Sequence, residues 1–340
     1  MSFIEQAKAG DRLALARLLT QIENDEEAGR LAQTALFPAS GRAHLVGVTG
    51  APGTGKSTLV NQMALSLRQG TDETSGRTAP ATVGIVAVDP SSPFTGGAIL
   101  GDRIRMRDLA GDDGVFIRSM ASRGALGGLA RTTSGVVEAL DAAGYEVILI
   151  ETVGAGQAEV DIARTAHTTI VVMAPSLGDE IQAIKAGILE IADIVVVNKY
   201  DLPAADQTLS ALKAALELGA ASPTRLDDGH PEAGSNLLEP ASVLWRPLVL
   251  PAVAAKGEGI AQIVRAMREH RSYLVQSGEL RKRERGRLRA QMEQMLRDEL
   301  AARFLRAQPD GRFESALEQV LNRRTSAREA VRSLLEGTGT

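Results

Sequence analysis

Cysteine is absent from this chain of 340 residues, which excludes disulfide bonds and metal sites built on thiolates. Aromatic residues are scarce at 3% of the sequence, so few side chains could stack on nucleic acid bases. A basic excess is missing as well, because the formal net charge is −4. Together these features predict that nucleic acid is not a partner.

Long apolar runs are also missing. No run approaches the roughly 18 residues that a membrane-spanning helix needs, and residues 1–6 lack the basic and apolar regions of a secretory signal. We therefore expect a cytoplasmic protein without a membrane partner. The chain is long enough for one large α/β domain with appended segments.

Short apolar runs alternate with helical stretches from His44 to about Arg271. The runs with the character of strands are Leu45–Thr49, Val83–Val88, Val115–Arg118, Val147–Glu151, Thr169–Met173, Ile194–Asn198 and Leu248–Val253. Several are apolar on both faces, which is typical of a parallel sheet covered by helices on either side. The sequence therefore predicts an α/β fold with a mostly parallel sheet, whose ligand lies at the carboxyl ends of the strands.

Helical patterns flank this region. On the amino-terminal side, Asp11 is placed to cap one helix, and Pro38 follows a second helix over residues 25–36. On the carboxyl-terminal side, Pro309-Asp310-Gly311 separates two further helices. We predict an N-terminal helical arm over residues 1–41, a nucleotide-binding domain over 42–272 and a C-terminal helical arm over 273–340.

Both predicted C-terminal helices carry an apolar stripe. The stripe of the first consists of Leu288, Met292, Met295, Leu296, Leu300 and Phe304, and that of the second of Phe313, Leu317, Val320, Leu321, Val331, Leu334 and Leu335. Two amphipathic helices joined by a turn bury such stripes either on their own domain or on a second chain.

One stretch of the sequence matches the phosphate-binding pattern G-x-x-x-x-G-K-[ST] in full. It reads Gly50-Ala51-Pro52-Gly53-Thr54-Gly55-Lys56-Ser57-Thr58, between a predicted strand and a predicted helix. In such a loop the backbone N–H groups point at the phosphates, Lys56 reaches the β and γ oxygens, and Ser57 offers a hydroxyl to Mg²⁺. We therefore predict a nucleoside triphosphate site.

A second motif, Asn198-Lys199-Tyr200-Asp201, closes the sixth predicted strand. In an NKxD loop the aspartate carboxylate accepts the N1–H and N2–H hydrogens of guanine, the asparagine contacts the other edge, and the lysine stem lies along the base. Adenine has an acceptor at N1 and no N2 amine, so the same carboxylate would repel it. The motif predicts that the base is guanine.

Polar residues follow two other strands at the predicted ligand edge. Glu151 ends the fourth strand, where nucleotide hydrolases place an acid that holds Mg²⁺ or its water, and Gln157 is near enough to orient a water. Asp89 follows the second strand, and Asp102 lies in a glycine-rich segment beyond it. Two carboxylates so placed suit a magnesium ion that keeps several waters.

The histidines show no ligand spacing. His44, His167, His230 and His270 are scattered along the chain, and we interpret all four as structural or exposed.

Six motifs together resemble the MeaB/ArgK family of P-loop GTPases, along the whole chain. They are Gly50–Thr58, Asp89–Ser92, Gly96–Arg103, Ser122–Gly128, Glu151–Gln157 and Asn198–Asp201. Proteins of this metallochaperone-related group protect and load adenosylcobalamin-dependent methylmalonyl-CoA mutase and its relatives. The resemblance implies GTP hydrolysis, Mg²⁺ and GTP or GDP as ligands, and an adenosylcobalamin-dependent acyl-CoA mutase as partner.

The resemblance also implies roles for single residues. Ser57, Asp89, Asp102 and Glu151 surround Mg²⁺, and the C-terminal helices form a homodimer. Residues 177–191 correspond to a switch loop that responds to the mutase. We predict catalytic roles for Lys56, Glu151, Gln157 and Lys185. For Lys185 the hypothesis is that it supplies charge to the transition state when the mutase reorders residues 177–191.

The sequence departs from the family behind the guanine. The usual serine of that loop is missing from Val253-Ala254-Ala255-Lys256-Gly257, so we expect backbone N–H groups of Val253, Ala254 and Ala255 to serve instead.

Other functions remain open at this point. A metal-delivery GTPase for another metalloenzyme would share the loops, but it normally carries metal on cysteines or clustered histidines. A kinase acting on transport proteins would need a phosphoacceptor site and a positioned base that the sequence does not display. A scaffold that uses GTP only for folding would show no turnover. The sequence does not identify which mutase would be the client.

Overall fold

A computed structural model of the chain describes residues 3–70, 79–90, 106–109, 111–122, 128–152, 162–175, 188–219, 244–307 and 311–336. It divides into two compact units, Met1–Arg285 and Gly286–Thr340. The domain boundaries near residues 41 and 272 stay predictions. In the described part of the chain, no helix combines the length and the apolar character that crossing a membrane requires.

Helices and strands alternate through the first unit. The strands are β1 (His44–Thr49), β2 (Val83–Pro90), β3 (Val115–Ser122), β4 (Val147–Thr152), β5 (Thr168–Met173), β6 (Ile194–Val197) and β7 (Leu248–Pro251). The helices of the chain are α1 (Phe3–Lys8), α2 (Arg12–Glu23), α3 (Glu27–Leu36), α4 (Lys56–Gln69), α5 (Gly128–Ala142), α6 (Ala205–Gly219), α7 (Ile260–Gln276), α8 (Glu279–Ala307), α9 (Arg312–Leu321) and α10 (Ala327–Glu336).

The seven strands form one sheet in the order β3-β2-β4-β1-β5-β6-β7, and every pairing between them is parallel. This confirms the predicted fold class and the seven predicted strands. Because β1 lies in the middle, its carboxyl end emerges beside the ends of β4 and β5: Val48 pairs with Glu151, and Thr49 pairs with Val171. The predicted ligand edge is therefore one continuous edge of the sheet.

The hydrophobic core has a layer on each face of the sheet. On one face, Val46 and Val48 of β1 belong to a buried cluster with Leu59 of α4 and residues of α7. On the other face, Leu45 belongs to a cluster with Leu19 of α2 and residues of α3 and α5. Burial of each such side chain contributes about 1.5–3 kcal/mol. The N-terminal helices thus share the core of the sheet.

Two of the N-terminal helices, α2 and α3, have the boundaries that the sequence predicts to within two residues. Asp11 accepts hydrogen bonds from the backbone N–H groups of Leu13 (2.9 Å) and Ala14 (3.0 Å), which confirms it as the cap of α2. Helix α3 ends at Leu36 in a short 3₁₀ turn that contains Pro38. Helix α1 was not predicted from the sequence.

The prediction of a single helix after residue 311 is wrong, because the segment forms α9 and α10. Arg323 adopts a left-handed backbone with φ of 58°, which ends the helical path. Ser326 and Glu329 then start the next helix as a capping box: the Ser326 hydroxyl accepts from the Glu329 N–H, and the Glu329 carboxylate accepts from the Ser326 N–H, both at 3.2 Å. This Ser-x-x-Glu spacing in the sequence could have predicted the start of α10.

Two histidines, His44 and His270, meet in a buried cluster at the amino-terminal edge of the sheet. Thr168 Oγ1 lies 2.7 Å from His44 Nε2 and 2.9 Å from His270 Nδ1, and His270 Nε2 lies 3.3 Å from Asp193 Oδ1. We call this set, completed by the Asp193 partner Arg283 of α8, the histidine network. The structural role predicted for His44 and His270 is confirmed. Their convergence was not predicted, and His230 lies outside the described residues.

Asp193 holds the network together. Both of its carboxylate oxygens accept hydrogen bonds from the Arg283 guanidinium, at 2.8 and 2.9 Å, and the Trp245 indole N–H donates to its backbone carbonyl at 3.0 Å. Burial alone would raise the pKa of Asp193, but the bonds from Arg283 and from His270 outweigh it and hold that pKa well below the usual range. The carboxylate is therefore ionised although it is buried.

Candidate nucleotide site

The phosphate-binding loop joins β1 to α4 through backbone conformations that favour glycine. Gly50 has φ of 141°, and a Cβ there would lie 2.1 Å from the Val172 carbonyl oxygen. Gly55 has φ of 93°, and a Cβ would lie 2.4 Å from Asn198 Nδ2. Neither position can accept a side chain unless the loop moves. The loop therefore passes close to β5 and to the Asn198 side chain.

Lys56 folds back over this loop. Its ammonium donates to the carbonyl oxygens of Gly50 (2.7 Å) and Ala51 (2.9 Å), and the residue is buried. A buried ammonium needs such acceptors to offset its lost hydration. The positive charge is thus fixed against the loop, where a bound phosphate chain would meet it.

Ser57 and Glu151 come together beside the loop. The Ser57 hydroxyl donates to Glu151 Oε1 at 2.6 Å, because the first turn of α4 faces the end of β4. A hydroxyl and a carboxylate are the hard oxygen ligands that Mg²⁺ prefers. Among the described side chains, no three from histidine, aspartate and glutamate lie close enough together to hold a metal ion.

The remaining predicted catalytic and metal-binding residues are less completely described. Asp89 lies one residue beyond Val88, which pairs with Thr152, so its backbone is at the same sheet edge as Glu151. The side chain of Asp89 lies outside the described residues, as do Asp102, Gln157 and Lys185. Their predicted roles stay predictions.

Asn198 ties two loops of the site together. Its Nδ2 donates to the Thr54 carbonyl at 2.8 Å, and its Oδ1 accepts from the Ala254 N–H at 3.0 Å. The side chain is buried. The sequence motif predicts this amide at the base, and its bridge between the phosphate loop and the loop after β7 was not predicted.

Asp201 is paired with a lysine that was not predicted as a site residue. Lys256 Nζ lies 3.1 Å from Asp201 Oδ2, and the two side chains are 56% and 43% exposed. The hydrogen bond from Lys256 lowers the pKa of Asp201, so the carboxylate is ionised and can only accept hydrogen bonds. Asp201 thus lies at the surface with the chemistry that guanine requires.

The loop after β7 leaves one of its three predicted donors open. The Val253 N–H bonds to the Glu258 carbonyl, and the Ala254 N–H bonds to Asn198. Within the ranges that the structure describes, the Ala255 N–H has no hydrogen bond partner. Ala255 is therefore the best placed of the three to contact a ligand.

The fold and two loops of the site define the class of protein. A parallel α/β sheet with a G-x-x-x-x-G-K-S loop between β1 and α4, and an NKxD sequence after β6, is the nucleotide-binding domain of a P-loop GTPase. The chain belongs to the MeaB family: the family model described as "Methylmalonyl Co-A mutase-associated GTPase MeaB" matches residues 15–309. The predicted resemblance is confirmed.

Relatives with similar sequences carry related names. A Pyrococcus abyssi protein named as a GTPase is 44% identical over 317 residues, which cover 93% of this chain and 90% of the relative. The GTPase ArgK of Escherichia coli is 33% identical over 342 residues, 98% of this chain and 95% of the relative. The mitochondrial methylmalonic aciduria type A homolog of Mus musculus is 37% identical over 235 residues, 69% of this chain and 51% of the relative.

A solved structure agrees with the fold. The crystal structure described as LAO/AO transport system kinase matches with a TM-score of 0.67 and 26% sequence identity, over 99% of this chain and 97% of that chain. With the family established, the chain is a GTPase, and GTP and GDP are its nucleotides.

Proposed function

We propose that this GTPase is a nucleotide-controlled switch for an adenosylcobalamin-dependent acyl-CoA mutase of the methylmalonyl-CoA mutase type. The switch assists assembly of that enzyme, loading of its cofactor and protection of the loaded state. The observation that carries the proposal is the match of residues 15–309 to a family described as mutase-associated. The name of the mouse relative, which refers to methylmalonic aciduria, supports it.

The nucleotide is held by three loops: the phosphate loop, the NKxD loop after β6 and the loop after β7. Residues 50–58 surround the phosphates, and Lys56 exchanges its carbonyl partners for the β and γ oxygens. Asp201 accepts the two guanine N–H groups, the Lys199 stem lies along the base, and the Ala255 N–H donates from behind. The contacts of Asn198 with Thr54 and Ala254 support this arrangement, because they fix the distance between the phosphate and base sites.

Mg²⁺ would be held by Ser57 and Glu151, together with Asp89 and Asp102. The 2.6 Å contact between Ser57 and Glu151 supports these two ligands, since both oxygens already meet at one point beside the loop. The ion would supply positive charge to the phosphates. Gln157 orients the attacking water, and Lys185 adds charge when the client reorders residues 177–191. Without a client, hydrolysis should run at about 10⁻⁴–10⁻² s⁻¹, as in other unassisted GTPases.

A homodimer forms through the second compact unit. Large apolar side chains stay exposed along its helices: Met292, Met295, Leu296, Leu300, Leu305, Phe313, Leu317, Leu321, Val331 and Leu335. A stripe of this extent favours a covered surface. Light scattering should therefore find a dimer that Leu296→Glu weakens and Ala290→Glu, on the same helix outside the stripe, does not. A monomeric wild type at micromolar concentration would contradict this.

The function is tested by phosphate release in the presence of purified methylmalonyl-CoA mutase, with isobutyryl-, ethylmalonyl- and 2-hydroxyisobutyryl-CoA mutases as parallel arms. We expect one of these mutases to accelerate GTP hydrolysis. The fraction of that mutase that is active and loaded with cobalamin should also increase when GTP is present. Lys185→Ala should lose the accelerated rate and keep the basal rate, whereas Lys56→Ala should lose both. If none of the four mutases changes hydrolysis or binds in a nucleotide-dependent way, the proposal is wrong.

A further inference from the structure

We propose that a cleft at the amino-terminal edge of the sheet binds a small organic anion, a molecule with a phosphate or carboxylate group on an apolar body. The cleft has a volume of about 740 Å³ and lies between the starts of β1 and β4 and one side of α7. Its cationic lining consists of Arg42, Arg268 and Arg271, and we call it the arginine cleft. Since the strands are parallel, it lies at the opposite edge from the phosphate loop.

Arg271 supplies unused donors to the cleft. Its guanidinium donates to the carbonyl oxygens of Ala43 (3.3 Å) and Arg42 (3.0 Å), and it lies 3.4 Å from His167 Nδ1. A guanidinium has five N–H donors, so these three contacts leave two. In the part of the chain that the structure describes, Arg271 has no ion pair within 4 Å. Its hydrogen-bond partners are therefore neutral, and the carboxylates of Asp141 and Glu284 act on it only from a longer distance. A half-buried guanidinium with two open donors and no ion pair can bind an anion directly.

The carboxylates that line the same cleft are already engaged. Asp141 accepts the backbone N–H groups of Gly41 (2.6 Å), Arg42 (3.2 Å) and Ala43 (3.0 Å). Glu146 accepts the Thr82 N–H at 3.2 Å. Their charges fix the backbone that forms the wall of the cleft. Of these two carboxylates and the guanidinium groups of Arg42 and Arg271, the groups open to a ligand are therefore the arginine donors.

Arg42 extends the cationic side toward solvent. It is exposed, and its guanidinium bonds only to the Ala39 carbonyl at 2.9 Å among the described residues. It can therefore turn toward a ligand without breaking an ion pair.

The apolar part of the lining argues for an organic ligand. Ala43 and Met267 lie at the floor, and Val275 is 58% exposed at the rim. Sites for small molecules have volumes of about 300–1,000 Å³ and combine such surface with a few polar groups. An inorganic ion would satisfy the arginines but would leave the apolar lining in water. The arginine cleft thus fits a molecule with both parts.

Phenyl phosphate is a suitable probe, with benzoate to compare the two anionic groups and benzyl alcohol as the uncharged counterpart. Binding to the full-length protein is followed by ligand-observed NMR with saturating GDP present, so that the phosphate loop is occupied. We expect one of the two anions to bind at least tenfold more tightly than benzyl alcohol. Arg271→Gln and Arg42→Gln should each weaken that binding at least tenfold, since each removes charge-assisted bonds. Arg265→Gln, an exposed change on α7 outside the cleft, should have no effect.

Four results would overturn the proposal. Neither anion binds at millimolar concentration; benzyl alcohol binds as tightly as the anions; both cleft variants bind as the wild type does; or Lys56→Ala abolishes binding, which would assign it to the phosphate loop. Arg271 also supports residues 42–43, so Arg271→Gln could unfold the protein. In that case Arg42→Gln, whose guanidinium bonds only to Ala39, decides the question.

Discussion

The two aspartates that flank strand β6 are each paired with a basic side chain, yet the two pairs have opposite surroundings. Asp193 precedes the strand and is bonded to Arg283, with side chains only 4% and 24% exposed. Asp201 follows the strand and is bonded to Lys256, with both side chains about half exposed. The buried pair is also held by the Thr169 N–H and by His270, whereas the exposed pair has water around it.

The difference in burial suits the two pairs to different roles: the buried pair to stability and the exposed pair to binding. Breaking a buried pair leaves an uncompensated charge in the core and is strongly destabilising. An exposed pair is screened by water and salt, so its carboxylate can exchange the lysine for another donor at little cost. The amino-terminal edge of this sheet therefore holds the fold together, and the carboxyl edge remains free to take up a nucleotide.

The largest effect is expected for Asp201→Asn. An amide replaces one acceptor by a donor, and xanthine carries a carbonyl oxygen where guanine carries its N2 amine. The variant should therefore prefer XTP to GTP, and the combined change in preference should reach about 10⁴-fold, because the wrong base leaves polar groups unpaired. Calorimetric titration of the variant and the wild type with both nucleotides measures this change in preference.

The stability of the Asp201→Asn variant should match that of the wild type, since the side chain is exposed. A folded variant that keeps full GTP activity and gains nothing toward XTP would show that Asp201 does not read the base.

Removing the cation from the buried pair should lower the stability of the protein. We expect Arg283→Met to lower the free energy of unfolding by about 3–5 kcal/mol, because Asp193 would stay charged and buried without its main partner. Urea unfolding measures this loss. Arg289→Met, also on α8 but exposed and paired with Glu293, should cost less than about 0.5 kcal/mol. Equal effects of the two changes would contradict a stabilising role for the histidine network.

The network should also make the protein sensitive to acid. Burial, and then the nearby Arg271, hold the pKa of His44 well below its usual value, so the folded state keeps the ring neutral. The unfolded chain protonates this ring below about pH 6.5 and then binds more protons than the folded state does. The free energy of unfolding therefore decreases as the pH is lowered through that range. The contribution is complete above that pH and is lost below it.

His44→Gln keeps a polar group near Thr168 and removes this titration. Between about pH 6.5 and 5.5 the wild type should lose about 1 kcal/mol more stability than the variant, against a limit of about 1.4 kcal/mol per pH unit for one proton. Urea unfolding at the two pH values gives the comparison. Parallel losses in both proteins would mean that His44 is not the titrating group.

The smallest effect is expected at the exposed pair. Lys256→Met should change GDP affinity by less than about fivefold, and it should make binding less sensitive to salt, because one screened interaction is gone. Thermal unfolding should be unchanged within error. A loss of affinity near that of Asp201→Asn would show that Lys256 takes part in binding beyond its contact with Asp201.

Much of the carboxyl edge could be predicted from the sequence, because its signals are local. The phosphate loop and the NKxD motif are short, their residues are contiguous, and the apolar runs before them gave the strands within a few residues. Asn198 shows the limit of such reasoning. Its motif was recognised, but its partners Thr54 and Ala254 lie 144 and 56 residues away in the sequence.

The amino-terminal edge was not predictable in the same way. His44, Thr168 and His270 belong to different elements, and only the order β1-β5-β6 brings the strand starts together. No spacing in the sequence encodes that meeting. Local signals were also missed: α1, and the capping box at Ser326 that starts α10. After residue 311 the apolar residues recur at helical spacing through both α9 and α10, and this spacing predicted one helix although polar residues separate the two.

The single tryptophan of the chain, Trp245, packs against the histidine network. The Trp245 ring lies 4.7 Å from the His270 ring and 5.6 Å from Tyr273, centroid to centroid. Intrinsic tryptophan emission therefore originates entirely from the edge of the sheet opposite the phosphate loop. Such a signal monitors loss of the fold without direct quenching by a nucleotide. Nucleotide exchange has to be followed with a labelled guanine nucleotide instead.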